Sequence, residues 1–457
     1  MVFLCICKLF YFVFLLINIE NTVSFPYDQC KIRVCNNYIE FFICQWERLL
    51  MNSCAGRSKK VLITTSTFPR WQGDTDPPFV YDLAIRLKDT FDILVLCPHS
   101  PVLKTSETVS GMRVKRFRYF FARYETLAYG SGILNRFRES RLYYCLVPFF
   151  LAGQLLATIR CLLFDRPDII NAHWLIPQGL IAVLAKTVTG TKAPIICTIH
   201  GGDIFGLKGA RMEDLKRYVL KRCAAVNVVS NAMTQAISGL GIGHRGINVI
   251  PMGVDLKNTF IPGKKAKTAK SLLFVGRFAE KKGLLYLINA MPAVLDKHPD
   301  ARLTIVGHGP LEHAIIQRIA GLGLQHAIHM AGAVENAQLP AIYQTSQIMV
   351  FPSIVADSGD TEGFGLVMVE AMGCGCAVIA SDLPAIHDSV IDGQTGLLVP
   401  QKNSPALAEK IIKLLDNPEQ CKKLALQSRS YVLERYDWTI TARKYIDVFN
   451  ASLHRPH

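Results

Sequence analysis

The sequence lacks the marks of several protein classes. Charged residues make up only 19% of its 457 residues, and no short repeat or low-complexity tract is present, which argues against a disordered chain or a coiled coil. No G-x-G-x-x-G fingerprint follows any apolar run, as it would in a domain of the dinucleotide-binding type. Cys374 and Cys376 form a C-x-C pair without a second pair or a histidine at zinc spacing. We therefore expect no metal site.

The longest apolar segment of the chain is at the N-terminus, with Lys8 inside it. Residues 1–19 are apolar over about one bilayer thickness but lack the basic region and cleavage site of a signal peptide. Residues 51–70 have the usual start of a cytosolic α/β protein, a polar lead followed by a buried strand. We interpret residues 1–50 as the product of an upstream start assignment, with a membrane anchor as the alternative. Residues 142–164 are the next most apolar and predict a packed helix or one that touches a membrane.

Positive charge is concentrated in the first half of the chain. Residues 51–250 contain 26 Lys and Arg against 13 Asp and Glu, within a formal net charge of +15 for the whole chain. Such a field favours an anionic partner, and the absence of a recognisable nucleic-acid module makes a membrane surface our expectation. Residues 111–125 mix cations with aromatic side chains and are the candidate membrane-facing segment. The 14 cysteines are mostly isolated and predict a cytosolic protein with reduced thiols.

Twelve short apolar runs alternate with segments of helical length. Runs of this kind predict parallel strands that are covered on both faces, and two series of them predict two doubly wound α/β domains. The lysine-rich loop 258–270 separates an N-terminal domain, 51–257, from a C-terminal domain, 271–436. The runs occupy residues 61–65, 92–97, 168–172, 194–199, 225–230, 247–250, 271–276, 301–307, 328–332, 347–351, 376–380 and 395–399.

Unusual residues follow several of these runs, where ligands bind in open parallel sheets. In the second half, Arg277 and Lys282 suit a diphosphate. Glu362 and Glu370 flank a glycine turn and a helix start, so each can accept hydrogen bonds from sugar or ribose hydroxyls around an anion site. In the first half, polar residues and a glycine follow three runs and are candidates for the acceptor side of the same crevice or for ordinary loop positions: Gly73, Asp74, His173, His200 and Asp203.

Six motifs in combination resemble the GT-B glycosyltransferases of the retaining family 4. They are TIHGGD, VIPMGVD, FVGRFAEKKG, IVGHGPLE, FPS and the run from EGFGLVMVEAMG to GLLVP, and the resemblance extends from about residue 60 to the C-terminus. It implies an α/β fold of two doubly wound Rossmann-like domains that face a central cleft. It also implies that a final helix, within residues 437–457, crosses back to the N-terminal domain.

The resemblance assigns roles to individual residues. Arg277 and Lys282 would clamp the donor diphosphate, Glu362 would hold the transferred sugar, Glu370 would bind the ribose, and His200 would border the sugar. The expected catalytic residues are Arg277, Lys282, Glu362 and His200. The other expected donor-binding residues are Gly276, Gly307, Val334, Gly363, Phe364, Gly365, Leu366 and Val367.

The implied activity is transfer of a hexosyl unit, with retention, from a UDP- or GDP-sugar to a glycan or lipid-linked acceptor in surface polysaccharide or glycolipid synthesis. The resemblance implies no cofactor, no metal and no nucleic acid. We expect the protein at the inner face of the plasma membrane, peripherally bound, or anchored there if residues 1–50 are translated. The alternatives are a hydrolysing nucleotide-sugar epimerase of the same fold and a non-catalytic nucleotide-sugar-binding protein.

Overall fold

The computed structural model contains two largely parallel β-sheets, each flanked by helices. It describes residues 58–454 apart from 72–73, 75–77, 131–132, 134–135, 138–139, 208 and 242–245. The expected N-terminal extension, 1–50, therefore lies outside the described residues. All twelve apolar runs form strands, and most of them are almost wholly buried between helical layers, whereas the runs at 247–250 and 328–332 are only partly buried.

The first sheet has eight strands in the order β3-β4-β2-β1-β5-β6-β7-β8. All neighbours are parallel except β3 and β4, which pair antiparallel at one edge. The chain order reverses between β1 and β5, which places a crevice at their carboxyl ends. The strands are β1 (Lys60–Thr64), β2 (Asp92–Pro98), β3 (Ser106–Val109), β4 (Met112–Phe117), β5 (Ile169–His173), β6 (Ile195–Ile199), β7 (Ala225–Val228) and β8 (Ile247–Val249).

The second sheet has six strands in the order β11-β10-β9-β12-β13-β14, all of them parallel. This is the doubly wound order, and its reversal point lies between β9 and β12. The strands are β9 (Ser271–Val275), β10 (Arg302–Val306), β11 (Ile328–Gly332), β12 (Ile348–Phe351), β13 (Ala377–Ser381) and β14 (Leu397–Val399).

Helices cover both faces of the sheets. Shorter 3₁₀ and π turns occur at 122–124, 141–146, 161–165, 175–179, 280–282 and 336–338. The described α-helices are α1 (Phe79–Leu87), α2 (Val147–Arg160), α3 (Leu180–Thr189), α4 (Gly202–Phe205), α5 (Ala210–Leu220), α6 (Asn231–Ser238), α7 (Leu284–Lys297), α8 (Glu312–Gly321), α9 (Leu339–Thr345), α10 (Leu366–Gly373), α11 (Ser404–Asp416), α12 (Pro418–Tyr436) and α13 (Trp438–Leu453).

The last helix returns to the first half of the molecule, as expected. Asp437 ends α12 and caps α13, where its carboxylate accepts a hydrogen bond from the backbone N–H of Thr439. Phe449 of α13 packs edge-to-face on Phe91, with ring centres 5.5 Å apart. Tyr445 is fully buried and contacts the first sheet through Thr198. The fold class, GT-B-like with a crossing C-terminal helix, is thus confirmed.

The segment expected to face a membrane, residues 111–125, is in part a buried strand. Met112–Phe117 form β4, in which Met112 and Val114 are buried. Arg116 is also buried, because its guanidinium donates to Glu107, to the Tyr129 hydroxyl and to the Pro69 carbonyl. That part of the expectation was wrong, since a strand inside a sheet can carry cations that are paired within the protein. Exposed aromatic residues remain only in the loop that follows the strand.

The apolar segment 142–164 is helical, with one face packed against the protein and the other exposed. Of the described residues, only the helical stretch Arg141–Asp165, which includes α2, is long and apolar enough to cross a membrane. Phe150 and Gln154 face the protein. The opposite face carries an apolar stripe with side-chain exposures of 78% at Leu142, 51% at Phe149 and 60% at Leu156.

Candidate active site between the two sheets

The carboxyl ends of the two sheets meet at two glycines. Gly201 follows β6 by one residue, and Gly363 lies in the loop between β12 and α10. A Cβ atom added to Gly201 would lie 3.1 Å from the Cα of Gly363, and one added to Gly363 would lie 2.8 Å from the carbonyl oxygen of His200. Only glycine allows the backbones to approach this closely. The close contact therefore brings His200 beside the loop that carries Glu362.

An ion pair spans the reversal point of the second sheet. The Nζ of Lys282, in the loop after β9, lies 2.9 Å from Oε1 of Glu362, in the loop after β12. Burial disfavours the Glu362 carboxylate, but the charges of Lys282 and then Lys281 outweigh this and lower its pKa. Lys281, which the sequence did not single out, donates to Asp360. The loop thus presents a paired carboxylate beside a cluster of cations.

The loops after β10 and β11 also lie at the carboxyl end of the second sheet. Gly307 follows β10 and lies against the carbonyl of Gly276, at a φ of 136° where a side chain would collide with that oxygen. Arg277 follows Gly276 directly, so it enters the crevice region from the end of β9. Val334 lies partly buried in the loop after β11, near the end of the same sheet.

The start of α10 provides free backbone N–H groups. Gly365 precedes the helix in a left-handed conformation, with φ at 94°, and Leu366 and Val367 form its first turn. Phe364 is buried and packs edge-to-face on Tyr436, which fixes the entry of the chain into the helix. A helix start of this kind is suited to an anion.

Glu370, one turn into α10, is held by a buried tyrosine. The hydroxyl of Tyr343, a fully buried residue of α9, donates to Oε2 of Glu370 over 2.9 Å. Burial raises the pKa of Glu370 to about 7, and the nearby Asp82 adds to this, whereas the Tyr343 hydrogen bond opposes it. Tyr343 was missed at the level of sequence because α9 carries no polar motif. Glu370 therefore changes charge near neutral pH.

His200 lies in an aromatic cage. Its ring centre is 4.9 Å from that of Phe79, 4.7 Å from that of Trp174 and 5.2 Å from that of His173. Burial, followed by the neighbouring His173, lowers the pKa of His200 well below its usual value. Burial also lowers the pKa of His173 to about 3. Both imidazoles are therefore neutral near pH 7, and Phe79 and Trp174 are cage residues that the sequence did not indicate.

The expected acceptor-side carboxylates are already engaged by the protein. Asp203 is buried, and its oxygens accept from the backbone N–H groups of Leu175 and Gly201, so it ties the loop after β6 to the loop after β5. Asp74 forms a bidentate pair with Arg70. These contacts show that Asp203 and Asp74 anchor loops within the protein. A direct contact of either residue with an acceptor stays a prediction. Gly73 lies outside the described residues.

Further contacts across the cleft involve residues that were not expected to bind the donor or the acceptor. The carboxylate of Asp388, from the second half, accepts from the backbone N–H and side-chain amide of Asn231, at the start of α6. The amide of Asn336 lies 3.4 Å from the carbonyl of Asp74. No group of three or more His, Cys, Asp or Glu that could hold a metal occurs within the described part of the chain. A metal-independent reaction remains an expectation.

The chain is similar in sequence to known glycosyltransferases. The family model "Glycosyl transferases group 1" matches residues 257–431, and "Glycosyltransferase Family 4" matches residues 78–258. A glycogen synthase of Mycobacterium tuberculosis is 27% identical over 295 residues, which cover 62% of this chain and 69% of the relative. A phosphatidyl-myo-inositol mannosyltransferase of the same species is 32% identical over 278 residues, which cover 59% and 70%.

Solved structures show the same fold. Sucrose-phosphate synthase of Thermosynechococcus elongatus superposes with a TM-score of 0.69 at 20% identity, covering 86% of this chain and 98% of that one. Anabaena HepE in complex with UDP superposes with a TM-score of 0.64 at 17% identity, covering 86% and 100%. From the family models, the relatives and the fold together, this chain belongs to the GT-B glycosyltransferases of group 1 and family 4, and it is a glycosyltransferase enzyme.

Proposed function

We propose that this glycosyltransferase moves a hexosyl unit from a UDP- or GDP-sugar to a lipid-linked or glycan acceptor, with retention of configuration, in surface polysaccharide or glycolipid synthesis. The observation that carries the proposal is the placement of Lys282 and Glu362 as an ion pair at the reversal point of the second sheet. The start of α10, on the same loop, supplies donors for an anion, and His200 faces that loop from the first sheet.

In the proposed reaction, charge develops on the leaving diphosphate. The bond between the anomeric carbon and the phosphate oxygen breaks, and its electron pair stays on the diphosphate. The acceptor hydroxyl attacks the same face of the sugar, and the leaving phosphate oxygen takes its proton. Lys282, Arg277 and the N–H groups at Leu366 would stabilise this charge. Removal of a single stabilising group of this kind costs about 2–4 kcal/mol of the barrier in other enzymes.

Glu362 fits a positioning role in this scheme. Its pKa is lowered by Lys282 and Lys281, so it stays ionised at neutral pH although it is buried. A carboxylate offers only acceptor oxygens and would hold sugar hydroxyls. The same negative charge would favour the positive character that the sugar ring gains as the glycosidic bond breaks. Lys282 would then bridge the sugar end and the phosphate end of the donor.

Glu370 is the proposed partner of the ribose. It lies one turn inside α10, so a diphosphate at the start of that helix would leave it at the nucleotide end of the ligand. Its fixed hydrogen bond to Tyr343 occupies Oε2, and Oε1 remains available for vicinal hydroxyls. Val334, in the adjacent loop after β11, is the proposed contact of the base.

A lipid-linked acceptor is supported by the surface of the first half. The exposed stripe of Arg141–Asp165 continues to Phe164, with 80% of its side chain exposed, and lies near the aromatic loop that contains Phe121. Phe120 of that loop packs on Phe149 of α2, with ring centres 5.1 Å apart. The helical stretch as a whole carries Arg141 and Arg160 and no acidic residue before Asp165, as a surface that rests on an anionic leaflet should.

The buried carboxylate of Glu125 shapes this aromatic loop. It accepts from the Arg118 guanidinium and from the backbone N–H groups of Tyr119 and Phe120, and it lies against His99. These contacts anchor the loop backbone, from which the side chains of Phe121 and Tyr124 are exposed. One relative is by name a phosphatidyl-myo-inositol mannosyltransferase, which is consistent with a lipid acceptor. We accordingly propose peripheral binding at an anionic membrane.

The test is transfer of a labelled hexose from a panel of UDP- and GDP-sugars to membrane lipid and glycan extracts. The variant combines Arg277→Ala with Lys282→Ala. Its matched control combines Lys264→Ala with Lys265→Ala, which removes the same charge from an exposed part of the linker. We expect one donor to support transfer, and the first double variant to lose most of the rate while the control retains it. Near-normal turnover by the first variant would refute the proposed site.

The panel also separates the alternatives. A hydrolysing epimerase would consume the donor without any acceptor, and a non-catalytic binding protein would bind a donor without turnover. The configuration of the product at the anomeric carbon, read by NMR, tests retention independently of the donor. Inversion would contradict the proposed front-face reaction while leaving the donor site in place.

A further inference from the structure

A line of buried polar side chains leads from the last helix to His200. The hydroxyl of Tyr445 lies 3.3 Å from Oγ1 of Thr198, which lies 3.4 Å from Oδ1 of Asn171. Nδ2 of Asn171 lies 3.1 Å from Nε2 of His173, and Nδ1 of His173 lies 2.9 Å from Nε2 of His200. The first four residues are fully buried. Buried polar groups of this kind cost stability unless they are paired.

The donor and acceptor groups of these side chains determine which partner donates in each hydrogen bond of the line. The Tyr445 hydroxyl donates to Thr198, and Thr198 donates to the carbonyl oxygen of Asn171. Asn171 then offers an N–H group to His173, so Nε2 of His173 accepts and its Nδ1 carries the proton. This proton is donated to Nε2 of His200. In a neutral His200 the remaining proton must therefore lie on Nδ1.

The ring of His200 is also held in place by packing. It stacks on His173 with an angle of 13° between the rings, and Phe79 and Trp174 cover it from other sides. Its low pKa makes proton transfer near pH 7 unsuitable as its task. What His200 offers to a ligand is then decided by its tautomer.

We propose that Asn171 and His173 are positioning residues that hold His200 in the Nδ1–H tautomer, and that Tyr445 extends this control to the crossing helix. The inference rests on the proposed function in one respect, because Nδ1–H would donate to a hydroxyl of the transferred sugar. A histidine held in one tautomer presents a fixed donor and needs no reorganisation during the reaction. The crossing helix would thus contribute to the site without touching the donor.

The first test reads the tautomer directly. The full chain is labelled with ¹⁵N-histidine, and long-range ¹H–¹⁵N correlation spectra distinguish Nδ1–H from Nε2–H imidazoles; His200→Gln assigns the signal. His173→Phe keeps a stacked ring but removes both ring nitrogens. Tyr445→Phe removes only the first hydroxyl, and Tyr129→Phe is its matched control, since that buried tyrosine donates to the Pro98 carbonyl outside the line.

The expected result is an Nδ1–H tautomer of His200 in the unchanged protein and in Tyr129→Phe. His173→Phe should give a mixture of tautomers, and Tyr445→Phe should shift the population in the same direction by a smaller amount. An Nε2–H tautomer in the unchanged protein would overturn the proposal. So would an unchanged His200 signal in both His173→Phe and Tyr445→Phe.

Turnover provides the second readout. We expect kcat of His173→Phe to fall about tenfold, as one hydrogen bond of ordinary strength allows, while KM for the donor changes little. His173→Gln, which retains an acceptor and a donor, should recover part of the rate. Equal rates in both variants would refute the positioning role. If the NMR spectra show the expected tautomers but no donor supports sugar transfer, the proposed function would be refuted. The proposed control of the His200 tautomer by Asn171, His173 and Tyr445 would still hold.

Discussion

The affinity for the donor should depend on the charge of Glu370. Burial raises the pKa of this carboxyl to about 7 in the unliganded protein, so it is largely protonated at pH 6 and largely ionised at pH 8. The ionised form has two acceptor oxygens and no proton, and is the better partner for the vicinal hydroxyls of a ribose. Binding of a nucleotide-sugar should therefore strengthen as the pH rises through neutrality.

The magnitude follows from the titration. With a pKa of about 7, the ionised fraction rises from about 9% at pH 6 to about 91% at pH 8, and affinity rises about tenfold if only the carboxylate holds the ribose. Isothermal titration with the UDP- or GDP-sugar that the protein accepts measures this. Such a diphosphate diester does not itself titrate in that range. The lowered pKa values of His173 and His200 remove those residues as competing causes.

Two variants isolate the carboxyl. Glu370→Gln cannot ionise, so its affinity should be low and independent of pH between 6 and 8. Tyr343→Phe removes the hydrogen bond that favours the carboxylate, so the midpoint of the pH dependence should move upward. A Glu370→Gln variant that keeps the slope of the unchanged protein would refute the reasoning, as would an unchanged protein whose affinity is the same at both pH values.

The raised pKa of Glu370 should also make the free energy of unfolding depend on pH. The pKa of Glu370 is about 7 in the folded protein, above the ordinary value of 4.5. Between pH 4.5 and pH 7, Glu370 is therefore ionised in the unfolded chain but protonated in the folded protein. The folded state then binds more protons, and the Glu370 contribution to the free energy of unfolding should fall as pH rises from 4.5 to 7 and level off above 7. Chemical denaturation of Glu370→Gln, which lacks this component, is the check.

Three further predictions concern contacts outside the Glu370 site. Gly363→Ala should lower the free energy of unfolding by about 1–3 kcal/mol, because its Cβ would lie 2.8 Å from the His200 carbonyl and overpack the contact between the two loops; an unchanged midpoint of urea denaturation would contradict the close contact. Asp203→Ala should lower the free energy of unfolding by about 1–3 kcal/mol, since it leaves two buried N–H groups unpaired; urea denaturation measures this, and an unchanged midpoint would show that the anchor is dispensable. Combining Phe149→Ser with Leu156→Ser should weaken cosedimentation with vesicles rich in phosphatidylglycerol without changing the melting temperature, because both side chains are exposed; equal binding of both proteins, or equal binding to neutral vesicles, would contradict the proposed membrane surface.

The sheets were predictable because their signal is local. Twelve continuous apolar runs became twelve parallel strands, since a strand covered on both faces has little freedom in composition. The strands β3 and β4 were not predicted from apolar runs. Strand β3 is the edge strand and β4 is its neighbour, β4 alternates buried residues with cations, and the burial of Arg116 depends on its pairing with Glu107 of β3 and with Tyr129. Such pairing is not visible in the sequence of the strand.

The site was predictable only as far as its motifs reach. The doubly wound topology brings the ends of β9 and β12 together, so the proximity of Lys282 and Glu362 follows from strand order. Tyr343 and Phe79 come from helices without any local mark, and their roles depend on packing across layers. Asp203 shows the opposite case: a residue within a motif whose carboxylate anchors two loops.

The central claim is that the cleft between the sheets binds a nucleotide-sugar through Arg277 and Lys282 and transfers its sugar. The most direct measurement is the rate of hexose transfer from each UDP- and GDP-sugar to membrane lipid extract, compared between the unchanged protein and Arg277→Ala combined with Lys282→Ala. The account predicts transfer from one donor and a loss of at least about 100-fold in the double variant, with the Lys264→Ala and Lys265→Ala control unaffected. Equal transfer by the double variant and the control would contradict it.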